Sequence, residues 1–285
     1  MPDAQLIAQI SSLTGLPGVA DKAEAVREAC TRLRFHEALR RRIPEAAAES
    51  RVRGAAASAE LGGAQLPVDT VRELISGARP WPENPDPGVA DVRAAVQATA
   101  ESERVVGLVR TAPLQALARL HVAGFGQVID AAALGRPRVG DETCEEFADA
   151  GPAPSADIVV ARLAGLTGLV RAAATGQVPG LIVASLVHAE IVAVRPFVYG
   201  NGIVARAMER ALVQATGLDP TGVAVPEMGH LSQRTHVYGG ALAGYAQGSA
   251  EGVTLWLVHA ADAMLAGVAE GMRICDSVRA GRLPR

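Results

Sequence analysis

The sequence predicts an all-α fold, and two observations support this prediction. Alanine, leucine, arginine and glutamate, which favour helices, dominate most of the chain. The alternation of branched or aromatic residues with polar ones that marks β-strands is nearly absent. Because aromatic residues make up only 3% of the sequence, we expect the helices to pack closely through Ala, Val and Leu side chains.

Prolines and glycines divide the chain into predicted helices. An N-terminal segment, residues 1–80, is separated from the rest by the proline-rich residues 79–88. The predicted helices of this segment are 3–13, 19–41, 45–61 and 68–77. The core segment, 89–279, carries predicted helices at 89–109, 113–123, 155–174, 178–194, 201–216, 229–247 and 250–279. Residues 125–153 lack helical periodicity and predict a long loop or a short β-hairpin, and residues 280–285 predict a frayed tail.

Composition and charge exclude several classes of protein. A net charge of -3 gives no basic field for nucleic acid or an anionic membrane, so neither is expected as a partner. Cys30, Cys144 and Cys275 have no paired spacing, which argues against a disulfide framework or a cysteine metal site. The N-terminus lacks a signal-peptide pattern, and the most apolar run, 181–194, is too short to span a bilayer. We therefore predict a cytoplasmic protein.

Residues 188–212 carry the pattern that points to chemistry: an apolar helix, a turn and an amphipathic helix. In the turn, Asn201 is predicted as the N-cap, Gly200 as a residue with positive φ, and Gly202 as a point of close ligand approach. Free amides at a helix start form an anion site, to which Arg206 could add a hydrogen bond. Taken alone, Gly-Asn-Gly is more typical of a tight turn between helices than of an anion site.

The wider pattern resembles a known signature. Pro196-Phe197-x-x-Gly-Asn-Gly-x-x-x-Arg206 is similar, without a gap, to the HPFx(D/E)GNGRxxR motif of the Fic (Fido) family. Residues 117–121 resemble an early core helix of that family, 134–151 stand in the place of its flap, and 238–256 resemble its closing helices. The resemblance covers about residues 90–270, and implies a Fic-type helical bundle with an N-terminal helical extension.

The resemblance implies transfer of AMP from ATP to a hydroxyl of a target protein, but three positions depart from the motif. Arg195 stands where the family's histidine acts as general base, and a guanidinium cannot accept a proton. Tyr199 replaces the acid that holds Mg²⁺, and Ile203 replaces an arginine that contacts phosphate. We therefore expect an impaired enzyme without the Mg²⁺ site. Arg195 could bind an anion or form an ion pair with an acid such as Glu190.

Many family members carry an inhibitory helix with the pattern [S/T]xxxE[G/N], and residues 56–63 are a candidate remnant. Aligning Ser58 places Gly62 at the glutamate position. Shifting by two residues restores Glu60 but loses the serine. The alignment of this segment with the motif therefore stays open, and Ser58 and Glu60 are both candidate regulatory residues. An ion pair between Glu60 and Arg206 is one testable arrangement.

Three functions remain open on this basis. The leading one is a non-catalytic protein that binds ATP or another phosphate ligand through Gly200, Asn201, Gly202 and Arg206, or binds a protein partner at the flap and cleft. The second is an active nucleotidyl- or phosphoryl-transferase with a base other than histidine. The third is a non-enzymatic interaction module. Self-association is also compatible with the resemblance.

His188 is predicted to be a hydrogen-bonded core residue, and no histidine has metal-ligand spacing.

Overall fold

A computed structural model describes residues 4–173 and 175–281, and within these ranges it contains helices and loops but no strand. The predicted all-α class is confirmed. The helices are α1 Ala4–Ser12, α2 Val19–Arg34, α3 Ile43–Leu61, α4 Val68–Ser76, α5 Pro87–Arg104, α6 Val106–Thr111, α7 Pro113–Phe125, α8 Ala156–Ala173, α9 Gly180–Val194, α10 Asn201–Ala215, α11 Pro226–Ser232, α12 Thr235–Ala246 and α13 Ala250–Arg279.

Three predicted helices differ from those observed. The helix predicted at 19–41 ends at Arg34, and a 3₁₀ turn follows at Glu37–Arg40. The helix predicted at 229–247 is two helices, separated where Arg234 adopts a φ of +72°. The helix predicted at 89–109 breaks after Arg104. No proline or glycine stands at these breaks, so local sequence carried no stop signal.

The segment between α7 and α8 is a loop with one 3₁₀ turn at Ala148–Ala150, as one of the two sequence alternatives predicted. We call residues 134–154 the flap. At the other end of the chain, Ala280 and Gly281 form a turn, and the predicted frayed tail beyond them lies outside the described residues.

Helices α9 and α10 form the centre of the fold. Every residue of α9 except Gly180 and Glu190 is buried, and it packs against α8, α10 and α12. Residues 201–213 of α10 are all buried as well. The connection between these two helices, residues 195–200, is therefore held on both sides by rigid, fully packed elements.

The N-terminal extension reaches this centre through α3, which contacts α5, α11 and α13. Its alanines allow close approach, and twelve of its residues are buried. Near its C-terminal end, α3 carries Ser58 to the first turns of α10.

By length and composition, one helix among the described residues could cross a membrane: α13. Of its most apolar window, 56% is buried inside the fold, where the helix packs against α2, α11 and α12. Core helices of globular proteins share these properties, so the apolar character of α13 is explained by its packing.

Candidate functional site

The loop between α9 and α10 has a shape that its own side chains enforce. α10 begins at Asn201 with Gly200 as the N-cap residue, so the prediction that Asn201 is the N-cap is wrong. The Asn201 side chain instead accepts from the Phe197 amide at 2.9 Å and donates to the Phe197 carbonyl at 2.9 Å. Gly200 has a φ of +87°, and a Cβ there would lie 2.2 Å from the Phe125 ring. Only glycine fits this position.

His121 supports the loop from α7. Its ring stacks on Phe197 with a centroid distance of 3.8 Å, and its Nδ1 accepts from the Gly135 amide at 2.9 Å. Nε2 therefore carries the proton and donates to the Tyr199 carbonyl at 3.1 Å. Burial lowers the pKa of His121 to about 4, so the ring is neutral at physiological pH.

An anionic group occupies the start of α10, and the flap supplies it. One carboxylate oxygen of Glu146 accepts from the Asn201 amide at 2.9 Å and from the Asn201 side-chain nitrogen at 2.7 Å. The neighbouring Phe147 covers Gly202, where an added Cβ would lie 2.9 Å from the ring. The Asn201 amide, which has no partner within the helix, and the positive end of the helix dipole thus face a carboxylate of the same chain. Sequence analysis missed both flap residues, since neither carries a motif.

Arg195, at the position of the family's histidine, binds the backbone of the same flap. Its guanidinium donates to the carbonyls of Glu146 at 3.2 Å, Phe147 at 3.4 Å, Gly151 at 2.8 Å and Pro152 at 2.9 Å. It is only 2% exposed, its Nε has no partner, and burial lowers its pKa.

No ion pair forms between Arg195 and Glu190, which was one of the expected arrangements. Glu190 instead accepts two hydrogen bonds of 2.6 Å from Arg162.

A second buried arginine completes the attachment of the flap: Arg138 donates to the carbonyls of Arg195 at 2.8 Å and Pro154 at 2.8 Å. The flap is thereby fixed to the C-terminal end of α9.

Arg206, predicted to bind phosphate, has each guanidinium nitrogen engaged. Nε donates to the Ser58 hydroxyl at 2.8 Å, Nη2 to the Ser58 carbonyl at 2.7 Å, and Nη1 to the Tyr238 hydroxyl at 3.2 Å. Glu60 accepts from Gln65 at 3.2 Å, so the ion pair with Arg206 considered above does not form. This contact places Ser58 beside Arg206 and leaves the register of the inhibitory motif open.

The residues around the loop do not fit a Mg²⁺–nucleotide complex in this conformation. The Tyr199 hydroxyl donates to Asp91 at 2.8 Å, and burial together with Asp91 raises the tyrosine pKa, so it remains a neutral phenol. The Glu146 carboxylate is already bound to Asn201. The cavity lined by Gly202 and these residues is about 50 Å³, whereas ligand pockets are typically about 300–1,000 Å³.

A larger cleft of about 950 Å³ adjoins this cavity. It lies between α12 and the flap, with Thr235, Gly239 and Gly240 on one side. Glu146 and Phe147 line both spaces. Gly62 also lines both spaces, so these three residues lie between the cleft and the small cavity.

Behind the loop lies a buried polar cluster that the sequence did not reveal. One carboxylate oxygen of Glu209 lies 2.7 Å from Nδ1 of His188 and 3.0 Å from Nε2 of His230. His188 Nε2 contacts the Tyr238 hydroxyl at 2.9 Å, and His230 Nδ1 contacts His259 at 3.1 Å. The predicted core role of His188 agrees with these bonds.

By position, His188, Glu209 and His230 could hold a metal ion, with ligand atoms within 4.8 Å of one another. Without a metal, each of these contacts can be a hydrogen bond in which the imidazoles donate to the carboxylate. Burial raises the pKa of Glu209, but the two histidines lower that pKa by more than burial raises it. The carboxylate is therefore ionised. These contacts link Glu209 to Arg206 through His188 and Tyr238, and they leave Nδ1 of His259 buried without a partner.

Comparison with solved structures identifies the fold. A Fic family protein from Desulfovibrio desulfuricans matches with a TM-score of 0.69 and 18% identity, over 90% of this chain and 74% of that one. Fic-1 from C. elegans matches with a TM-score of 0.66 and 15% identity, over 92% and 73%. A Fic domain containing signaling protein from Bacteroides thetaiotaomicron matches with a TM-score of 0.67 and 11% identity, over 93% and 100%.

No family model matches this sequence, and no curated protein does so. The structural matches nevertheless confirm the fold that the motif between α9 and α10 predicted.

Proposed function

We propose that this chain, which has the fold of Fic family proteins, is a non-catalytic protein that binds an anionic ligand at the start of α10. A nucleotide phosphate is the first candidate, because the glycine-asparagine-glycine turn presents a backbone amide at a helix start. The observation that carries the proposal is the use of Arg195: at the place of a general base stands a protonated group that donates to four carbonyls.

Loss of the base is joined by loss of the metal ligand. Tyr199 offers a phenol bound to Asp91 where the Fic motif has a carboxylate. A general base contributes about 10²- to 10⁴-fold to a rate, and without Mg²⁺ the charge on nucleotide phosphates has no counterion from the loop. These losses support a protein that acts by binding rather than by AMP transfer, and we propose that it does so in the cytoplasm.

One observation favours an active transferase as the second candidate. Asp91 and Glu146 both line the cavity beside Gly202, and either carboxylate could accept a proton from an attacking hydroxyl. Burial raises the pKa of Asp91, which makes it a stronger proton acceptor than an ordinary aspartate when it is ionised. This reading requires that the tyrosine contact with Asp91 be broken first.

Labelled ATP incubated with the protein and a cell lysate separates the two candidates. We expect no transfer of label to protein. Transfer that is lost in Asp91→Asn but kept in the exposed control Glu145→Gln would overturn the proposal and establish the carboxylate as base.

Calorimetric titration with ATP, ADP and AMP, with and without Mg²⁺, tests the binding part of the proposal. The absence of heat with both the wild-type chain and Glu146→Ala would leave only a protein-interaction module.

A further inference from the structure

We propose that the flap is an internal ligand of this site: Glu146 fills the anion position at the start of α10, and Arg195 holds it there. An external anion then binds only when residues 146–152 move away. This inference rests on the proposed anion-binding function, and adds how access to the site is controlled.

The contacts of Glu146 are those expected of a bound anion. A single oxygen accepts from the backbone amide and from the side-chain amide of Asn201, at 2.9 and 2.7 Å. Charge-assisted bonds of this length are roughly twice as strong as neutral ones. A phosphate or carboxylate from solution would need the same two donors, so it competes directly with Glu146.

Phe147 blocks the remaining approach. It adopts a φ of +54°, a backbone conformation that bulky residues rarely take, and its ring lies against Gly202. The Phe147 ring thus occupies the space beside Gly202, where the sequence predicted the close approach of a ligand. Surrounding contacts must maintain this conformation, because it is unfavourable by itself.

Arg195 provides those contacts. Its guanidinium binds carbonyls at both ends of the 146–152 segment, and none of its hydrogen bonds goes to an acid. Replacing a proton-accepting histidine with arginine at this position would therefore do two things at once: remove the base and fix the flap over the loop.

Movement of the flap would create a ligand-sized space. Glu146 and Phe147, together with Gly62, line both a cavity of about 50 Å³ beside Gly202 and a cleft of about 950 Å³. With these side chains displaced, the two spaces join, and the start of α10 becomes one wall of the cleft. The closed and open arrangements thus differ in whether the anion site communicates with solvent.

The test compares pyrophosphate binding by the full-length wild-type chain, Glu146→Ala and the control Glu145→Ala, whose side chain is exposed. Isothermal titration calorimetry measures each Kd, and circular dichroism checks folding; Glu146→Gln replaces the alanine variant if that variant fails to fold. We expect Glu146→Ala to bind at least about tenfold more tightly than wild type, the ratio that 1.4 kcal/mol produces. Glu145→Ala should match wild type.

Equal, measurable affinities of wild type and the Glu146 variant would overturn the internal-ligand proposal alone. No binding by either chain would overturn the anion-binding function on which that proposal rests. Label transfer from ATP by the wild-type chain would instead overturn the non-catalytic function. The ratio of the pyrophosphate affinities of wild type and Glu146→Ala would still decide whether Glu146 competes with an external anion. The two failures are therefore distinguishable.

Discussion

Arg195→Met tests whether the arginine at the motif position fixes the flap. Methionine keeps an unbranched side chain but removes all the donors that reach the carbonyls of residues 146–152. The backbone of Arg195 has a φ of +46°, which methionine would adopt at a similar cost to arginine, so the comparison isolates the guanidinium.

The expected magnitude follows from the two short bonds, to Gly151 at 2.8 Å and Pro152 at 2.9 Å. Hydrogen bonds to charged groups contribute about 1.5–3 kcal/mol each. Taking the lower value for both, removal of the guanidinium costs the closed flap about 3 kcal/mol. Since 1.4 kcal/mol is a factor of ten, the opening equilibrium should rise roughly a hundredfold.

Hydrogen–deuterium exchange of the backbone amides of residues 146–151 measures this opening directly. Arg195→Lys should give an intermediate effect, because an ammonium keeps the charge but lacks the planar fork that reaches several carbonyls. Arg162→Met, which removes a more exposed arginine bound to Glu190, controls for general destabilisation. Flap exchange in Arg195→Met within about threefold of wild type, against the expected hundredfold, would refute the reasoning.

Three further changes have definite expected outcomes. Arg195→His should not restore AMP transfer, because the metal and phosphate contacts of the motif remain absent; robust labelling of protein from ATP would show that the histidine alone suffices. Glu227→Gln should lower the free energy of unfolding in urea by about 3–5 kcal/mol, because Arg210, 2% exposed and bound at 2.8 Å by both Glu227 oxygens, would lose its counter-charge. The double variant Arg210→Met/Glu227→Leu should recover most of that loss, and a loss as large as the single variant's would contradict this account. Lowering the pH from 7 to 5 should remove about 2 kcal/mol of stability through His121, since its folded pKa of about 4 lies below the unfolded value, so that the unfolded chain takes up the proton first. In His121→Asn, the slope of the unfolding free energy against pH should correspond to about one fewer proton taken up on unfolding. An unchanged slope would show that His121 does not have the lowered pKa.

The helices could be predicted from sequence because their signals are local. Apolar periodicity predicts the helices, and the prolines at 44, 87 and 113 mark helix starts that agree with the structure within two residues. Where a helix broke without such a signal, as at Arg104 and at Arg234, the prediction ran two helices together. Tertiary packing decided those breaks, and residue pattern does not encode it.

The residues of the α9–α10 loop were also identified from sequence, because the turn has a fixed spacing. Their partners were not. Ser58 reached Arg206 from a helix 148 positions away, and the Glu209 cluster joined histidines that share no motif. Sequence analysis named Ser58 as a candidate regulatory residue, but it paired Arg206 with Glu60 and not with Ser58.

The sequence alone determined that this chain builds its helices around a glycine-asparagine-glycine turn and that Arg195 cannot serve as a base there. These properties depend on residue type and short-range spacing. Only the tertiary structure decided what faces the turn. Glu146 lies 55 residues from Asn201 along the chain, in a flap without periodicity, and buried hydrogen bonds from Arg138 and Arg195 to backbone carbonyls set its path. Because any residue can supply a carbonyl, the sequence does not mark which ones these arginines bind.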